Sequence, residues 1–204
     1  MDDRAQHWDD TYTRRGIERV SWFQTVPTRS LQMIDALGIS PEAAVIDVGG
    51  GASSLAGHLV VRGFTDIVVL DISDVALAAA RDRVGNRAPV SWLHQDVLTW
   101  RPQRRFDLWH DRAVFHFLVE PDERKRYLAI LRAALIPGGA AIMATFAPDG
   151  PDQCSGLPVV RYSAGDLAAL LGEDFEVADA CREEHTTPAG AHQPLTWAGA
   201  RLVS

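Results

Sequence analysis

The segment VIDVGGGASSL, from Val45 to Leu55, decides the fold of this chain of 204 residues. It is a short apolar run that holds one acid, Asp47, and then breaks into three glycines. This pattern predicts a buried strand followed by a tight turn. Such a turn lets the backbone approach a ligand closely and directs free N–H groups toward it. The segment therefore predicts a nucleotide-like ligand at a strand end, and the rest of the chain must decide which one.

Strand and helix patterns alternate from residue 44 onward. Strands are predicted at 44–48, 66–71, 90–96, 106–111 and 140–146, and helices at 54–63, 74–85 and 121–139. The alternation implies right-handed crossover units and a mostly parallel sheet. After a helix at 163–172, extended runs at 175–185 and 193–203 are joined by a turn-like segment and predict a closing antiparallel pair. The predicted fold is α/β, with a mostly parallel seven-stranded sheet and helices on both faces.

Length and composition fit one domain over residues 1–204. The first forty residues form a predicted helical, aromatic-rich segment, with a helix at 28–37, ahead of a core at 41–204. The apolar share of 47% and the charged share of 23% are those of an ordinary globular protein. The net charge of −7 disfavours a nucleic-acid partner, because phosphate binding needs clustered Lys and Arg.

The start of the chain, MDDRAQHWDD, is acidic and polar, without the apolar centre of a signal peptide. No apolar run reaches the length that a membrane-spanning helix needs. The two cysteines, Cys154 and Cys181, form neither a metal-type pair nor a disulfide framework. We therefore expect a cytoplasmic protein without a metal site or a membrane partner, and a monomer or weak homodimer.

Acids end three consecutive predicted strands. Asp47 precedes the glycines, Asp71 ends the second strand and Asp96 ends the third. A carboxylate at the second position can accept hydrogen bonds from both ribose hydroxyls of an adenosine-containing cofactor. Ser54 stands where the dinucleotide pattern GxGxxG has its third glycine, which weakens a dinucleotide interpretation. For Asp47, capping of the glycine turn stays open as an alternative to binding a cationic ligand group.

The ordered motifs of the chain resemble those of class I S-adenosylmethionine-dependent methyltransferases, which have a Rossmann-like fold. The motifs are VIDVGGGAS, VLDIS, HQDVL, FDLWHDRAVFHFL and LIPGGAAIMATF. The preamble HWDDTYTRRGIERVSWF and the tail resemble bacterial methyltransferases of unassigned substrate. The preamble is also similar to that of eukaryotic protein-lysine methyltransferases. Those enzymes tend to have Asp-Lys-Gly after the fourth strand, where this chain has Asp111-Arg112-Ala113.

The resemblance implies that S-adenosylmethionine is the cofactor and assigns residues to it. Backbone at the glycines would contact the methionine part, and the acids would receive its amino group, the ribose and the adenine. Aromatic residues of the preamble would form a lid, since aromatic faces attract a sulfonium cation; for Trp22, core packing is the alternative. The implied cofactor-binding residues are Trp8, Tyr12, Trp22, Asp47, Gly49, Gly50, Gly51, Asp71, Ile72, Asp96, Val97, Asp111 and Arg112.

Some acceptors must lose a proton during transfer, which requires a base with a suitable pKa. His110, Asp111 and His116 are the candidate catalytic residues, because they lie in or just after the fourth strand. His185, at the turn between the last two strands, is a further candidate on the substrate side. The segment 147–162 predicts a loop over the acceptor and adds Cys154 and Arg161 to that side. For each histidine, a purely structural role is the alternative.

We predict methyl transfer from S-adenosylmethionine to a small-molecule acceptor. A protein lysine is the first alternative, and a non-catalytic cofactor-binding module is the second. A nicotinamide oxidoreductase would need the third glycine and a further parallel half, and neither is evident in the sequence. The identity of the acceptor and of its reacting atom stays open.

Overall fold

The computed structural model describes residues 3–203. Residues 1, 2 and 204 of the predicted domain 1–204 lie outside the described part. Residues 1 and 2 also belong to the predicted N-terminal segment. The α-helices are α1 Asp3–Arg15, α2 Thr28–Ala36, α3 Leu55–Val61, α4 Asp74–Val84, α5 Pro121–Ala134 and α6 Ala164–Leu171. The strands are β1 Val45–Val48, β2 Ile67–Asp71, β3 Val90–His94, β4 Phe106–Arg112, β5 Leu135–Phe146, β6 Gln153–Cys154, β7 Leu157–Pro158, β8 Phe175–Thr186 and β9 His192–Leu202.

Seven strands form one sheet in the order β3-β2-β1-β4-β5-β9-β8. The first five strands in this order are parallel to one another, while β9 runs antiparallel to both β5 and β8. The predicted seven-stranded, mostly parallel sheet with a closing antiparallel pair is confirmed. Its consequence is that the carboxyl ends of five parallel strands meet at one edge, the usual place for ligands in open α/β sheets.

Apolar side chains alternate along the strands and fill two cores, one on each face of the sheet. Ile46 and Trp109 pack on the face covered by α5 and α6. Val45 and Leu108 pack on the face covered by α2 and α3. Period-two alternation of strand side chains produces this division. The predicted helices on both faces are confirmed, and the same alternation sends Asp47 and His110 toward α2.

The border between α5 and β5 differs from the predicted one. The helix predicted over 121–139 ends at Ala134, and Leu135 is already extended, with φ −91° and ψ 147°. Pro137 is the reason, because it disfavours helical backbone at the residue before it and cannot donate a helical hydrogen bond. Leu135 instead pairs with Phe106, across a register shift in β4.

The segment 147–162 contains a short antiparallel hairpin that the sequence pattern does not indicate. Cys154 pairs with Leu157 and Gln153 with Pro158, and Ser155 at the turn has φ +52°. The hairpin consists of β6 and β7 and lies outside the main sheet. It brings Cys154 to the sheet edge where the strand-end acids lie.

Candidate functional site

A cavity of about 300 Å³ follows the carboxyl edge of the sheet. Each of the seven strands contributes a residue that lies at or near this edge of the sheet. In sheet order from β3 to β8, these include Asp96, Asp71, Gly49, Arg112, Phe146, Leu195 and His185. Residues of α1 and of the β6–β7 hairpin also line it. The volume falls in the range of small-molecule sites, so the edge predicted from sequence forms a ligand-sized space.

The three glycines after β1 lie where neighbouring side chains leave no room for a Cβ. Gly49 has φ +67°, and a Cβ on it would lie 2.0 Å from Cγ2 of Val114. A Cβ on Gly50 would lie 2.2 Å from Oδ2 of Asp47. Gly51 donates its N–H to Oδ2 of Asp71 at 2.9 Å. Of the three, Gly49 lines the main cavity, and Gly50 lines a smaller side cavity of about 30 Å³ next to it.

Asp47 belongs to a buried chain of hydrogen bonds with His110 and Ser30. Strand pairing places His110 opposite Asp47, and its Nδ1 lies 2.7 Å from Oδ1 of the carboxylate. The other ring nitrogen, Nε2, lies 3.0 Å from Oγ of Ser30 on α2. All three residues are at most 2% exposed. The second carboxylate oxygen, Oδ2, is buried and has no hydrogen-bond partner among residues 3–203.

The surroundings of His110 bear on its predicted role as a catalytic base, which stays a prediction. Both of its ring nitrogens are engaged, and the ring lines the side cavity beside Asp47 instead of the main cavity. His110 therefore cannot reach an acceptor in the main cavity. Its geometry makes it a neighbour that fixes the carboxylate of Asp47.

Asp71 and Asp96 face the half of the cavity next to β2 and β3. Asp71 accepts hydrogen bonds from the backbone N–H groups of Gly51 and Ser73, at 2.9 and 2.8 Å. Burial raises the pKa of Asp71 to about 6, and these hydrogen bonds oppose the increase. Asp96 is half-buried and accepts from the backbone N–H of Leu98 at 2.8 Å. Ile72 and Val97, the residues that follow these acids, also line the cavity.

Asp111 lies away from the cavity, and its catalytic and cofactor-binding role stays a prediction. Its carboxylate is fully buried and accepts hydrogen bonds from the backbone N–H groups of Val114 and Phe115 and from the hydroxyl of Tyr127. Burial raises the pKa of Asp111 to about 6. The side chain does not line the cavity, because it turns toward α5 and fixes the chain reversal after β4.

Arg112, the next residue, does face the cavity. Its Nη1 donates to the backbone oxygen of Trp22 at 2.8 Å. Its Nε and Nη2 are buried and have no hydrogen-bond partner in the described chain. Burial lowers the pKa of the guanidinium, while the carboxylates of Glu183 and Asp47 oppose that decrease. Arg112 lines both cavities and so stands between Asp47 and the main cavity.

His116 is buried beside the main cavity, and its role as a base stays a prediction. Its Nδ1 accepts the backbone N–H of Phe146 at 3.4 Å, so the proton of the neutral ring belongs on Nε2. Nε2 is buried and has no partner within residues 3–203. Burial, followed by the nearby charge of Arg112, lowers the pKa of His116 to about 3. The ring lines the main cavity.

Of the predicted substrate-side residues, two line the cavity and one does not. Burial raises the pKa of the Cys154 thiol to about 11, so it stays protonated at neutral pH. His185 has Nε2 at 2.7 Å from the backbone oxygen of Ser21, and burial lowers its pKa. Arg161 is exposed and donates to the backbone oxygen of Gly150 at 3.1 Å, outside the cavity, and its substrate-side role stays a prediction.

Aromatic rings form the cavity wall opposite the sheet edge. The centroid of Trp8 lies 5.0 Å from that of Phe117 and 5.7 Å from that of Trp22, and both pairs are edge-on. Tyr12 lies 5.8 Å from Trp22, also edge-on. Trp8, Tyr12 and Trp22 line the cavity as the sequence predicts for a lid. Phe117 was not predicted, although its place beside His116 in the aromatic run FHF was an available signal.

Asp9 on α1 also escaped prediction. Its Oδ1 accepts the hydroxyl of Ser73 at 2.6 Å and the backbone N–H of Val75 at 3.3 Å. Ser73 is itself the N-cap of α4 and follows Asp71 closely. Farther along the cavity, Arg4 of α1 pairs with Glu123 of α5. Helix α1 is therefore fastened over the cavity at two places.

The known proteins that are similar to this chain in sequence or structure include methyltransferases. Residues 45–139 match the family model of a methyltransferase domain. An uncharacterized methyltransferase of Mycobacterium tuberculosis is 31% identical over 115 residues, which cover 56% of this chain and 56% of that protein. The eEF1A lysine and N-terminal methyltransferase of Mus musculus is 28% identical over 123 residues, which cover 58% of this chain and 17% of that protein.

A solved structure matches over almost the whole chain. It is the Burkholderia thailandensis 1,6-didemethyltoxoflavin-N1-methyltransferase with bound 1,6-didemethyltoxoflavin and S-adenosylhomocysteine. The TM-score is 0.71 at 23% identity, and the match covers 98% of this chain and 84% of that chain. The chain thus shares its fold with this enzyme, while it spans 56% or less of the two curated relatives above. No helix within residues 3–203 is long and apolar enough to cross a membrane.

Proposed function

We propose that this chain, a member of the class I S-adenosylmethionine-dependent methyltransferases, transfers a methyl group from S-adenosylmethionine to a small-molecule acceptor. The observation that carries the proposal is a pair of unsatisfied, buried groups of opposite charge at the cavity. These are Oδ2 of Asp47 and the Nε and Nη2 groups of Arg112. Burying an unpaired charge is costly, so such groups indicate a ligand that pairs with them.

The methionine part of the cofactor fits this pair. Its ammonium group would be held by Oδ2 of Asp47, and its carboxylate by the free N–H groups of Arg112. Gly49 and Gly50 bring the backbone close to this carboxylate, since a Cβ on either would collide with Val114 or Asp47. His110 holds the other oxygen of Asp47 and leaves Oδ2 for the ligand.

The adenosine part fits the other half of the cavity. Asp71 lies at the end of β2 with its carboxylate fixed by two backbone N–H groups, which leaves lone pairs for the ribose hydroxyls. Asp96 follows β3 and would accept the amino group of the adenine, with Ile72 and Val97 packing on the ring. The aromatic wall of Trp8, Tyr12 and Trp22 suits the sulfonium. The product after transfer is S-adenosylhomocysteine.

The cofactor supplies the chemistry, because its sulfonium methyl group is already an electrophile. The chain's own residues would align the acceptor with that methyl group and keep water out. Helix α1 and the β6–β7 hairpin both line the cavity and so help to cover it. This coverage supports a small acceptor over a large one.

A protein side chain is the second candidate acceptor. An open cleft of about 470 Å³ lies beside His185 and carries the carboxylates of Glu18, Glu183 and Glu184. An acidic cleft suits a basic peptide. His185 lines both this cleft and the main cavity, so the two are neighbours.

Methyl transfer from labelled S-adenosylmethionine to fractionated cell extract tests the proposal. We expect the label in the low-mass fraction, and the Asp71→Asn variant to need about ten to a hundred times more cofactor, the scale of hydrogen bonds to charged groups. Label in the protein fraction would favour the second candidate. Cofactor binding with no label in either fraction would mean a non-catalytic cofactor-binding module and contradict the proposal.

A further inference from the structure

We infer that the methyl acceptor is a small anion whose nucleophilic atom carries no proton to be removed, so that transfer uses no general base. This inference rests on the proposed function and specifies its substrate class. It concerns the acceptor half of the cavity, which we define as the part over β4, β5, β9 and β8. The polar residues that line this half are Arg112, His116, Cys154, His185 and Gln193. Tyr12 of α1 also lines the cavity near Cys154, and burial raises the pKa of its hydroxyl well above the usual value, so the hydroxyl stays protonated.

Neither histidine of the acceptor half has a free lone pair. Nδ1 of His116 accepts the backbone N–H of Phe146, which leaves Nε2 as a buried donor. Nε2 of His185 donates to the backbone oxygen of Ser21, and its Nδ1 faces the amide nitrogen of Gln24 at 3.4 Å. A base must offer a lone pair to the proton that it removes. The hydrogen bonds of both rings to the protein therefore leave no lone pair free to remove a proton from the acceptor.

The titration of these groups agrees with their geometry. Burial and the charge of Arg112 lower the pKa of His116 to about 3, so the ring holds a proton poorly at neutral pH. Burial raises the pKa of Cys154 to about 11, so its thiol does not become a thiolate base. The charge of Arg112 also contributes to the pKa shifts of Cys154 and His185, so its field extends across the acceptor half.

No carboxylate lines the acceptor half within residues 3–203. The acids of the cavity, Asp71 and Asp96, lie over β2 and β3 at the other end. Glu183 of β8 faces the same region, but its oxygens accept from Nε1 of Trp197 and from the amide of Gln24, and it does not line the cavity. Because the cofactor carboxylate would pair with the free N–H groups of Arg112, the Nε2 donor of His116 is the group left for the acceptor. A donor in a half that no carboxylate of the described chain lines favours an anion and disfavours an ammonium.

The reaction of such an acceptor is balanced without a base. The acceptor's lone pair forms the bond to the methyl carbon, and the electron pair of the broken carbon–sulfur bond stays on sulfur. The anion becomes a neutral methylated product and the sulfonium becomes a neutral thioether. No proton is released, whereas methylation of a hydroxyl or an ammonium would release one that no residue here is placed to accept.

Two thiols of similar size test the inference, because thiophenol is ionised at neutral pH and benzyl mercaptan is not. Initial rates are measured with the full chain and S-adenosylmethionine from about pH 6.5 to about pH 8.5. We expect a flat profile above the pKa of thiophenol itself and, for benzyl mercaptan, a rate that rises about tenfold per pH unit with its own thiolate fraction. A flat profile for benzyl mercaptan, or preferred turnover of benzylamine, would overturn the inference.

A binding measurement decides the matter even if neither thiol reacts. In the presence of saturating S-adenosylhomocysteine, we expect benzoate to bind at least about tenfold more tightly than the neutral isostere benzamide. Equal affinities, or no binding of either, would overturn the inference. Failure to bind S-adenosylhomocysteine at all would instead contradict the proposed function, so the two failures are distinguishable.

Variants of His116 separate a donor from a base. His116→Leu should weaken benzoate binding about tenfold and leave the thiophenol profile flat. His116→Gln, whose amide N–H can replace the Nε2 donor, should restore part of the benzoate affinity. If His116→Leu instead changed the shape of the thiophenol profile, the residue would be acting as a base and the inference would be wrong. Circular dichroism of both variants checks that the buried site still folds.

Discussion

The two carboxylate oxygens of Asp47 have different surroundings, and that difference defines the site at the scale of one residue. Oδ1 is held by His110, which Ser30 holds in turn, while Oδ2 faces Gly50 without a partner. A buried carboxylate held on one side is already oriented for a cation on the other. Pre-orientation of this kind lowers the entropic cost of binding.

Replacing Asp47 by Asn should weaken S-adenosylmethionine binding about ten- to hundredfold, since the ammonium loses a charged hydrogen-bond acceptor. Ser30→Ala is the matched control, because it removes the outer hydrogen bond of the chain and keeps the charge on Asp47. We expect it to weaken binding by less than about fivefold. Titration calorimetry gives both affinities, and an unchanged affinity of Asp47→Asn would show that the residue only caps the glycine turn.

Residue-scale prediction from sequence succeeds for positions that strand ends determine. The carboxyl edge of a parallel sheet brings Asp71 and Asp96 into one cavity without further information. It does not give the side-chain directions of Asp111 and His116, which depend on partners distant in the chain. The hydroxyl of Tyr127 and the backbone N–H of Phe146 determine them, and neither partner is visible in the local pattern.

Helix α1 is the element that closes the cavity, and polar contacts fasten it. Asp9 joins it to the start of α4, and Arg4 joins it to α5. Trp8 and Tyr12 project from the same helix to the cavity. Asp9 contacts Ser73, which lies close to Asp71. A movement of α1 would therefore also disturb the adenosine half of the site.

Asp9→Ala should loosen α1 without unfolding the chain. We expect amide hydrogen exchange in α1 to become about tenfold faster, as the loss of two hydrogen bonds predicts, and dissociation of S-adenosylmethionine to accelerate. Asp10→Ala is the control, since Asp10 lies on the same helix and, within residues 3–203, its carboxylate hydrogen-bonds Gln6 and Arg14 of that helix. Equal exchange in the two variants would show that Asp9 does not hold the lid.

Prediction at the scale of elements is accurate where periodicity is strong and fails at borders. The seven strands of the sheet follow from apolar runs and turn residues. The end of α5 was misplaced by five residues, from residue 139 to Ala134, because the helical pattern continues to the proline while the backbone changes before it. The β6–β7 hairpin has only two residues per strand, too few for a period to be detected.

Across the whole molecule, the cavity is polarised along the sheet edge. Acids lie over β2 and β3, and Arg112 and the neutral histidines lie over β4 to β8. This division assigns the adenosine to one half and an electron-rich acceptor to the other. It arises from topology, because β1 lies between the strands that carry the two sets. One domain over residues 1–204 stays a prediction.

The central claim is that the cavity binds S-adenosylmethionine, and calorimetric titration of the full chain tests it most directly. Parallel titrations use S-adenosylmethionine, S-adenosylhomocysteine and NADH under the same conditions. We predict saturable binding of one molecule of either sulfur compound per chain and no saturable binding of NADH. Saturable binding of NADH without binding of S-adenosylmethionine would contradict the account.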